Sequence, residues 1–550
     1  METNNSTKNK KSLLHSGIIL SVMTLMSRIM GLIREMTKAS FLGTGLYADC
    51  FTVAFMIPNL LRRLFAENAI SVAFIPTFKG YLAQGDSDEN KKITQEFVKS
   101  TFTLVSFLTA CVVVAGILIT PFLMPIFCKA PEAGGADYAA QLEYYLLERQ
   151  ETAVLTRIMF PYLFLISVAA FFQGILNSCN IFAPSGFTPV LFNGIVILGT
   201  YLLAPYTSNP ARAMSIGVVA GGTVQALFQW PFVRKTGWKV GFTSLRKTFT
   251  NPGTRKVISL IVPTIIGMAA YQLNDVVSTS MAKYVGSGIA SSLQYSLRLQ
   301  ELILGIFAVS IGTVILPDLS GFANQNNWKE FNNMLLQAIK IMTLISIPIT
   351  VYSLITGREL ISLLYKNKLF DDESVRLTLG EFRFHIAGLL FIALNRIISP
   401  AFYAQKNPKL PTIAGVISFA SNILLVLILS RFMGGNGIAL ALSLASLVNT
   451  IFLFAFMKKM QSMELGRLVR GTLLYAVKMC ILSIIAGLPC YFAHSALTGI
   501  FAGHGRLIAY GAPAGITALL FAVIGVTELV IIRDEIATSI LKKFTARAKK

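Results

Sequence analysis

The chain has 550 residues, of which 54% are hydrophobic and 13% are charged, and its mean hydropathy is +0.64. A soluble protein carries about twice that charged fraction, and the apolar runs recur from end to end, so the composition excludes a soluble globular protein. The net charge of +22 does not indicate nucleic-acid binding, because the basic residues fall mostly in short loops between apolar runs. That pattern sets membrane topology and attracts anionic lipid headgroups.

The apolar runs predict an all-α polytopic membrane protein with about fourteen transmembrane helices. A helix needs about 20 apolar residues to cross roughly 30 Å of hydrocarbon, and several runs are long enough to tilt or protrude. The predicted spans cover residues 13–41, 47–79, 97–127, 153–178, 184–204, 212–233, 257–285, 288–317, 333–356, 378–404, 410–430, 435–457, 468–493 and 506–533. The first is too long for a signal-peptide core, and we expect it to be retained.

The charged loops predict the orientation of the chain. The loop between the sixth and seventh spans has seven basic residues and no acidic residue, and the C-terminal tail is also basic. The segment between the third and fourth spans is read as an acidic loop containing Glu132, Asp137, Glu143, Glu148 and Glu151. The positive-inside rule therefore places both termini in the cytoplasm.

Weak internal similarity predicts two halves. Ala69–Phe78 resembles Ser310–Leu319, and Arg234-Lys235 closes the sixth span as Lys458-Lys459 closes the twelfth. We predict two pseudo-symmetric six-helix lobes, residues 1–235 and 236–460, related by an axis along the membrane normal. Residues 461–550 then hold two extra helices and the basic tail.

Charged residues inside the spans are the main candidates for function, because a charge near the bilayer centre costs roughly 2.5–3.5 kcal/mol. At 1.5 Å per residue, Arg28 lies ~22 Å, Arg62 ~24 Å and Arg298 ~16 Å from the starts of their predicted helices. The charged residues within spans are Arg28, Arg34, Asp49, Arg62, Arg63, Glu67, Asp275, Arg298, Glu301 and Arg396.

Each of these residues has a structural interpretation beside a functional one. Arg63 and Glu67 are spaced i,i+4 and Arg298 and Glu301 i,i+3, so both pairs can neutralise themselves within the protein. Arg28 and Arg62 have no acid at these spacings, which favours a ligand role. Arg34 lies about 120° around the helix from Arg28, and only a bend at Gly31 would bring both to one site. Arg396 can be a snorkelling residue at a helix end. The excess of arginine favours an anionic ligand such as phosphate or carboxylate.

No enzyme, cofactor or metal site is predicted. The six cysteines include no C-x-x-C pair, and none of the four histidines has a recognisable Ser, Asp or Cys partner. A phosphate-binding glycine motif is also absent from the sequence. We therefore expect that this chain does not hydrolyse ATP.

Three motifs resemble the MurJ/MviN family of bacterial lipid II flippases, in the MOP exporter superfamily. They are S-R-I-M-G-L-I-R-E (Ser27–Glu35), A-D-x-F (Ala48–Phe51) and P-N-L-L-R-R-L-F-A-E (Pro58–Glu67) followed by A-F-I-P. The chain departs from the family at Ser296–Leu299, which reads S-L-R-L in place of A-D-R-L, and at Asn68, where glycine is usual.

The resemblance implies a flippase of the bacterial cytoplasmic membrane that works by alternating access. Arg28, Arg34, Arg62 and Arg298 match the family's substrate-binding arginines, which hold the pyrophosphate of lipid II (undecaprenyl-pyrophosphoryl disaccharide-pentapeptide) in a central cavity. Asp49, Arg63, Glu67 and Glu301 are assigned to secondary or structural roles. A groove beside the last two helices would take the polyprenyl tail.

The energy source and the partners stay open. Some family members bind Na⁺ near the seventh, eleventh and twelfth helices, and Asp275 is available for it, but the eleventh span has no carboxylate. The membrane potential is the other energy source. We expect a monomer that contacts membrane lipids, with wall-synthesis proteins as partners left open. The alternatives are a cation-coupled exporter of drugs or of another lipid-linked glycan, and a non-transporting scaffold for wall synthesis.

Overall fold

The computed structural model describes residues 2–64, 70–85, 87–131 and 137–538, with side-chain surroundings for all of these except 2–21, 262–271 and 306–314. Within these ranges every regular element is a helix. The α-helices are α1 Glu2–Leu42, α2 Leu46–Arg62, α3 Ile75–Leu82, α4 Asp88–Leu123, α5 Tyr138–Ser178, α6 Ala183–Leu203, α7 Pro210–Lys235, α8 Leu245–Thr250, α9 Pro252–Val285, α10 Ile289–Asn324, α11 Trp328–Tyr365, α12 Asp372–Ala387, α13 Leu389–Ala404, α14 Lys409–Met433, α15 Gly435–Met457, α16 Leu465–Ile500 and α17 Ala512–Ile531. Short π-helices at Ile70–Phe74 and Leu507–Gly511 precede α3 and α17.

The helices confirm the predicted all-α membrane fold. Among the described residues, nine helices are long and apolar enough to cross a membrane, and α12 with α13, bent by 41°, would make a tenth span. The other four predicted spans fall on α1, on α2 with α3, on α9 and on α10. The chain is therefore a multi-pass membrane protein, and the count of fourteen stays a prediction.

The predicted acidic loop is wrong in its main part. Helix α5 begins at Tyr138, so Glu143, Glu148 and Glu151 are helical. Glu148 and Glu151 are buried, and Glu151 binds Arg212 of α7 through both carboxylate oxygens. Buried acids with cationic partners lower the local hydropathy without ending the helix, which is why the sequence pattern failed here. Glu132 lies outside the described residues.

The chain forms two compact units, Met1–Ser291 and Ser292–Lys550. The first contains a core of packed aromatic rings, and the centroid of the Phe74 ring lies 4.6 Å from that of Phe171 and 5.7 Å from that of Phe97. The lobe boundary predicted at residue 235 rests on the repeat and stays a prediction.

Helices α6 and α7 of the first unit pack backbone against backbone. A Cβ added at Gly217 would lie 3.1 Å from the carbonyl oxygen of Val196, and one added at Gly199 would lie 3.1 Å from the Cα of Gly217. Small residues allow such close approach between membrane helices, where dispersion contacts replace the hydrophobic effect.

In the second unit, polar contacts at both ends join the last two long helices to their neighbours. Tyr352 of α11 donates to the carbonyl oxygen of Ala514 on α17 over 3.0 Å. Beyond the end of α17, Asp534 accepts from Lys478 over 2.6 Å and from the Tyr475 hydroxyl over 3.1 Å. Burial alone raises the pKa of Asp534, but hydrogen bonds from Lys478, the Ala537 N–H and Tyr475 outweigh it and hold that pKa below its usual value.

Candidate functional site

Arg34 of α1 is held by contacts with two other helices and with its neighbour Glu35. Its guanidinium donates to Asn193 Oδ1 of α6 over 3.1 Å and to Glu35 Oε1 over 2.8 Å. It also lies 5.8 Å from the ring centroid of Phe55 on α2. Because the guanidinium group is held on several sides, its orientation is fixed without a ligand.

Asn193 also connects this group to the helical turn that carries Arg28. Its Nδ2 donates to the Ser27 carbonyl oxygen over 3.4 Å, and Gly31 faces the same amide, since a Cβ there would lie 3.8 Å from Nδ2. Helix α1 continues unbroken through Gly31. Arg28 is half-buried. One amide of α6 therefore touches α1 at two successive turns.

The adjacent residues Arg62 and Arg63 have different partners. Arg62 Nε donates to Asn59 Oδ1 over 2.9 Å. Arg63 donates to Asp275 Oδ2 and to Gln272 Oε1 of α9, each over 3.3 Å. The predicted partner Glu67 lies outside the described residues, as does Asn68. Asp275, the residue available for Na⁺, thus lies at ion-pair distance from a guanidinium.

Asp49 belongs to a buried charge cluster that also contains Lys283 and Glu148. Lys283 Nζ lies 3.3 Å from Asp49 Oδ2 and makes a short contact with Glu148 Oε1. Asp49 also accepts the backbone N–H groups of Gly288 over 2.8 Å and of Ser291 over 2.9 Å. At most 7% of each of the three charged side chains is exposed. This cluster ties α2, α5 and α9 together.

Position 288 requires a glycine for two reasons. Its φ of +82° lies in the left-handed region, which disfavours residues with a Cβ. A Cβ there would also lie 2.5 Å from the Thr44 carbonyl oxygen. The position of the N–H that binds Asp49 therefore depends on a glycine.

In the second unit, Arg298 forms the i,i+3 pair that its spacing allows, with NH1 2.6 Å from Glu301 Oε2. Residues 292, 296 and 300 repeat every four positions and place their polar side chains on one buried face of α10. Ser292 binds Glu381 over 2.9 Å, Ser296 lies 2.6 Å from His385 Nδ1, and Gln300 donates to the His385 carbonyl oxygen.

Arg298 is displaced by about 200° from both Ser296 and Gln300 around the helix. Its side chain is 34% exposed, whereas Ser292, Ser296 and Gln300 are buried. The buried hydrogen bonds from Ser292, Ser296 and Gln300 to α12 thus fix the rotation of α10 about its axis. Arg298 consequently points away from α12.

Two histidines have polar partners in space that the sequence does not indicate. His385 meets Ser296, and buried His494 of α16 lies 2.9 Å from Glu359 of α11 and 3.0 Å from the Thr517 hydroxyl of α17. These partners come from helices far apart in the chain, so no local motif indicates them.

Sequence reasoning also missed two buried lysines. Lys38 donates to Thr52 over 2.8 Å and lies over the Phe51 ring, and Lys283 is the centre of the Asp49 cluster. Both stand within a few residues of a helix end, where a lysine is usually read as exposed. Among the residues that sequence reasoning missed, only the polar residues spaced four apart on α10 gave a usable signal in the sequence.

Within the described residues, no group of three or more His, Cys, Asp or Glu side chains could hold a metal ion. A groove of about 340 Å³ lies between α11, α16 and α17 of the second unit. Its lining is mostly apolar and includes Leu344, Tyr352, Met479, Leu482 and Phe521. Its chemistry suits an aliphatic chain.

The fold resembles that of transporters of the MOP superfamily. A solved structure described as "Inward-facing conformation of a multidrug resistance MATE family transporter of the MOP superfamily" matches with a TM-score of 0.59 at 13% identity, covering 82% of this chain and 99% of that chain. That likeness concerns the fold alone. The structure "Lipid II flippase MurJ, inward closed conformation" matches with a TM-score of 0.74 at 25% identity, covering 94% of this chain and 100% of the other.

Sequence comparisons then identify the family. The family model described as "Lipid II flippase MurJ" matches residues 38–507. The "Probable lipid II flippase MurJ" of Treponema pallidum is 45% identical, covering 97% of this chain and 99% of that protein. The Vibrio cholerae protein of the same description is 33% identical, covering 81% and 82%. The chain belongs to the lipid II flippase MurJ family, a family of transporters and not of enzymes, which confirms the resemblance drawn from the motifs.

Proposed function

We propose that this protein moves lipid II from the cytoplasmic to the periplasmic leaflet of the bacterial inner membrane. The observation that carries this proposal is the 45% identity to a probable lipid II flippase over nearly the full length of both chains. The absence of a recognised catalytic motif in the sequence is consistent with transport rather than chemistry.

In this proposal, Arg28, Arg34, Arg62 and Arg298 bind the pyrophosphate. Planar guanidinium groups suit phosphate because they can bind it through two parallel hydrogen bonds. Support comes from the hydrogen bonds by which the amides of Asn193 and Asn59 orient Arg34 and Arg62. The phosphate would compete with Glu301 for Arg298, whose pair is partly exposed and can exchange.

The transport cycle would be alternating access, with the polyprenyl tail in the groove of α11, α16 and α17. The apolar lining of that groove supports this use. An inside-negative membrane potential would favour outward movement of the anionic head by about 2.3 kcal/mol per charge per 100 mV. The carrier's own arginines return to their starting position in each cycle, so the net driving force from the potential comes from the charge of the lipid II head alone.

The direct test is reconstitution into liposomes that contain labelled lipid II, with leaflet exchange measured with and without an imposed potential. We expect exchange above that of empty liposomes, accelerated when the potential is negative on the side from which lipid II leaves. If no gradient produces exchange above the empty-liposome rate, the proposal is wrong.

One variant and a matched control test the site in the same assay. Arg298→Ala should abolish exchange while the protein still inserts. Arg376 of α12 makes a chemically similar i,i+3 pair with Glu373 and is 70% exposed, so Arg376→Ala should transport normally. Full exchange by Arg298→Ala would remove Arg298 from the binding site.

A further inference from the structure

The segment between α7 and α9 exposes basic and apolar side chains together. From residue 234 to 256 it has seven basic residues and no acidic one: Arg234, Lys235, Lys239, Arg246, Lys247, Arg255 and Lys256. Three of its large apolar residues are also exposed, Phe242 by 71%, Leu245 by 41% and Phe249 by 43%. Leu245 and Phe249 are one turn apart on α8 and therefore share a face. We call these three apolar residues with Arg246 and Lys247 the α8 surface.

The α8 surface is held outward because the opposite side of the segment is docked on α3 and α4. The Lys239 backbone N–H donates to Gln95 Oε1 over 2.9 Å, and the Gln95 amide donates back to the Lys239 carbonyl. The Thr243 N–H donates to Thr103 over 3.0 Å, and Trp238 lies edge-on to Phe78. Thr248, on the inner side of α8, is buried. The exposed apolar residues therefore cannot turn inward unless these contacts break.

The geometry places α8 at the level of the lipid headgroups. Asn251 ends α8 and caps α9, accepting the Thr254 N–H over 3.0 Å. Helix α9, a predicted span, then begins with exposed Arg255 and Lys256. Cations in the first turn of a span lie near the membrane surface. Since only Asn251 separates the two helices, α8 lies at the same depth.

We propose that the α8 surface binds anionic phospholipid, with Leu245 and Phe249 inserted at the boundary between headgroups and acyl chains and Arg246 and Lys247 on the phosphates. An apolar face beside a cationic face is the pattern of helices that lie in the membrane interface. The acid-free run of seven cations favours a uniformly anionic lipid surface over a protein partner, whose surface would present both signs.

The test uses the full chain in liposomes, with Phe249→Trp as a reporter read against the wild-type tryptophan signal. Lipids brominated on their acyl chains quench tryptophan that enters the bilayer, and acrylamide quenches tryptophan in water. We expect brominated lipid to quench the reporter more strongly in phosphatidylglycerol-containing liposomes than in phosphatidylcholine alone. The effect should weaken near 1 M salt, where the Debye length falls to about 3 Å.

Two double variants, each lacking two cations and each made in the Phe249→Trp protein, distinguish lipid binding by the α8 surface from an effect of the total charge of the protein. Each basic residue near an anionic surface raises the partition coefficient of the α8 surface onto the lipid about fivefold. The double variant Arg246→Gln with Lys247→Gln should therefore lower that coefficient roughly 25-fold. Lys458→Gln with Lys459→Gln removes another exposed adjacent pair, after α15, and should leave the partitioning unchanged.

Two outcomes would overturn the proposal. Quenching by acrylamide but not by lipid in either composition would mean that the α8 surface stays in water, available to a protein. Equal lipid quenching in both compositions would mean apolar insertion without recognition of anionic lipid.

Discussion

At the scale of single residues, the neighbours Arg62 and Arg63 should separate binding from stability. Arg62 Nε donates to the Asn59 amide, and Arg63 lies 3.3 Å from the carboxylate of Asp275. Arg62→Ala should leave protein abundance intact and slow lipid II exchange roughly 10- to 100-fold, the effect of losing one charged hydrogen bond. Arg63→Ala should retain exchange and lose roughly 1 kcal/mol of stability, because the pair with Asp275 is partly exposed.

The control for this pair is a double-mutant cycle. Asp275→Asn alone should cost about as much as Arg63→Ala, and the double variant should cost less than their sum. Exchange is read in liposomes and stability from thermal unfolding in detergent. A stable but inactive Arg63→Ala, together with an active Arg62→Ala, would reverse the two assignments.

The residue scale also shows what sequence alone can reveal about a site. Arg28, Arg62 and Arg298 could be selected as candidates because an arginine far inside an apolar run is costly. Their place in the binding site stays a prediction. Lys38 and Lys283 could not be selected, because each lies near a helix end, where a lysine normally reaches water. Their burial follows from hydroxyl or carboxylate partners on other helices. The partner Asp275 of Arg63 comes 212 positions later, so local spacing could not indicate it.

At the scale of elements, the contact between α6 and α7 gives a clear prediction. Gly217→Ala would place a methyl group 3.1 Å from the Val196 carbonyl oxygen and 3.3 Å from the Val196 Cα. Both are backbone atoms, so the helices must move apart, at a cost of roughly 1–3 kcal/mol. Thermal unfolding in detergent should show a lower midpoint.

Gly415 of α14 is the matched control, because a Cβ added there meets no atom within 4 Å. Gly415→Ala should leave stability unchanged or raise it by up to about 1 kcal/mol, since alanine favours a helix. A Gly217→Ala protein as stable as wild type would show that the two helices can separate at no cost.

Most helices could be predicted from the sequence, because long apolar runs specify both their type and their approximate ends. The start of α5 could not, since its N-terminal part carries two buried acids whose cationic partners lie on other helices. The buried face of α10 was present in the sequence as Ser292, Ser296 and Gln300, but the spacing does not say which helix they meet. Their partners Glu381 and His385 lie more than eighty positions away.

At the scale of the whole molecule, the charge cluster of Asp49, Glu148 and Lys283 should be among the most sensitive points. Lys283→Met leaves two buried carboxylates without their ammonium group and should cost roughly 3–5 kcal/mol. Adding Glu148→Gln should recover most of this, because Asp49 keeps the N–H groups of Gly288 and Ser291. Thermal unfolding and membrane abundance measure both effects.

A partly exposed ion pair between a lysine and an aspartate provides the comparison for that experiment. Lys366 lies 2.6 Å from Asp372, with the two side chains 27% and 66% exposed, and Lys366→Met should cost at most about 1 kcal/mol. Equal losses for the two lysines would mean that burial adds nothing to the Lys283 pair.

The position of Lys283 in the chain also orders the steps by which the protein is made. The ribosome adds Lys283 after Glu148 by 135 residues and after Asp49 by 234. At about 5–20 residues per second, Glu148 is in place roughly 7–27 s before its counter-ion exists. Because Lys283 stands near the end of α9, nearly all of that helix must be synthesised before the charges can meet. The nascent chain therefore carries two uncompensated acids through the synthesis of α6 and α7, and the arrival of α9 neutralises them.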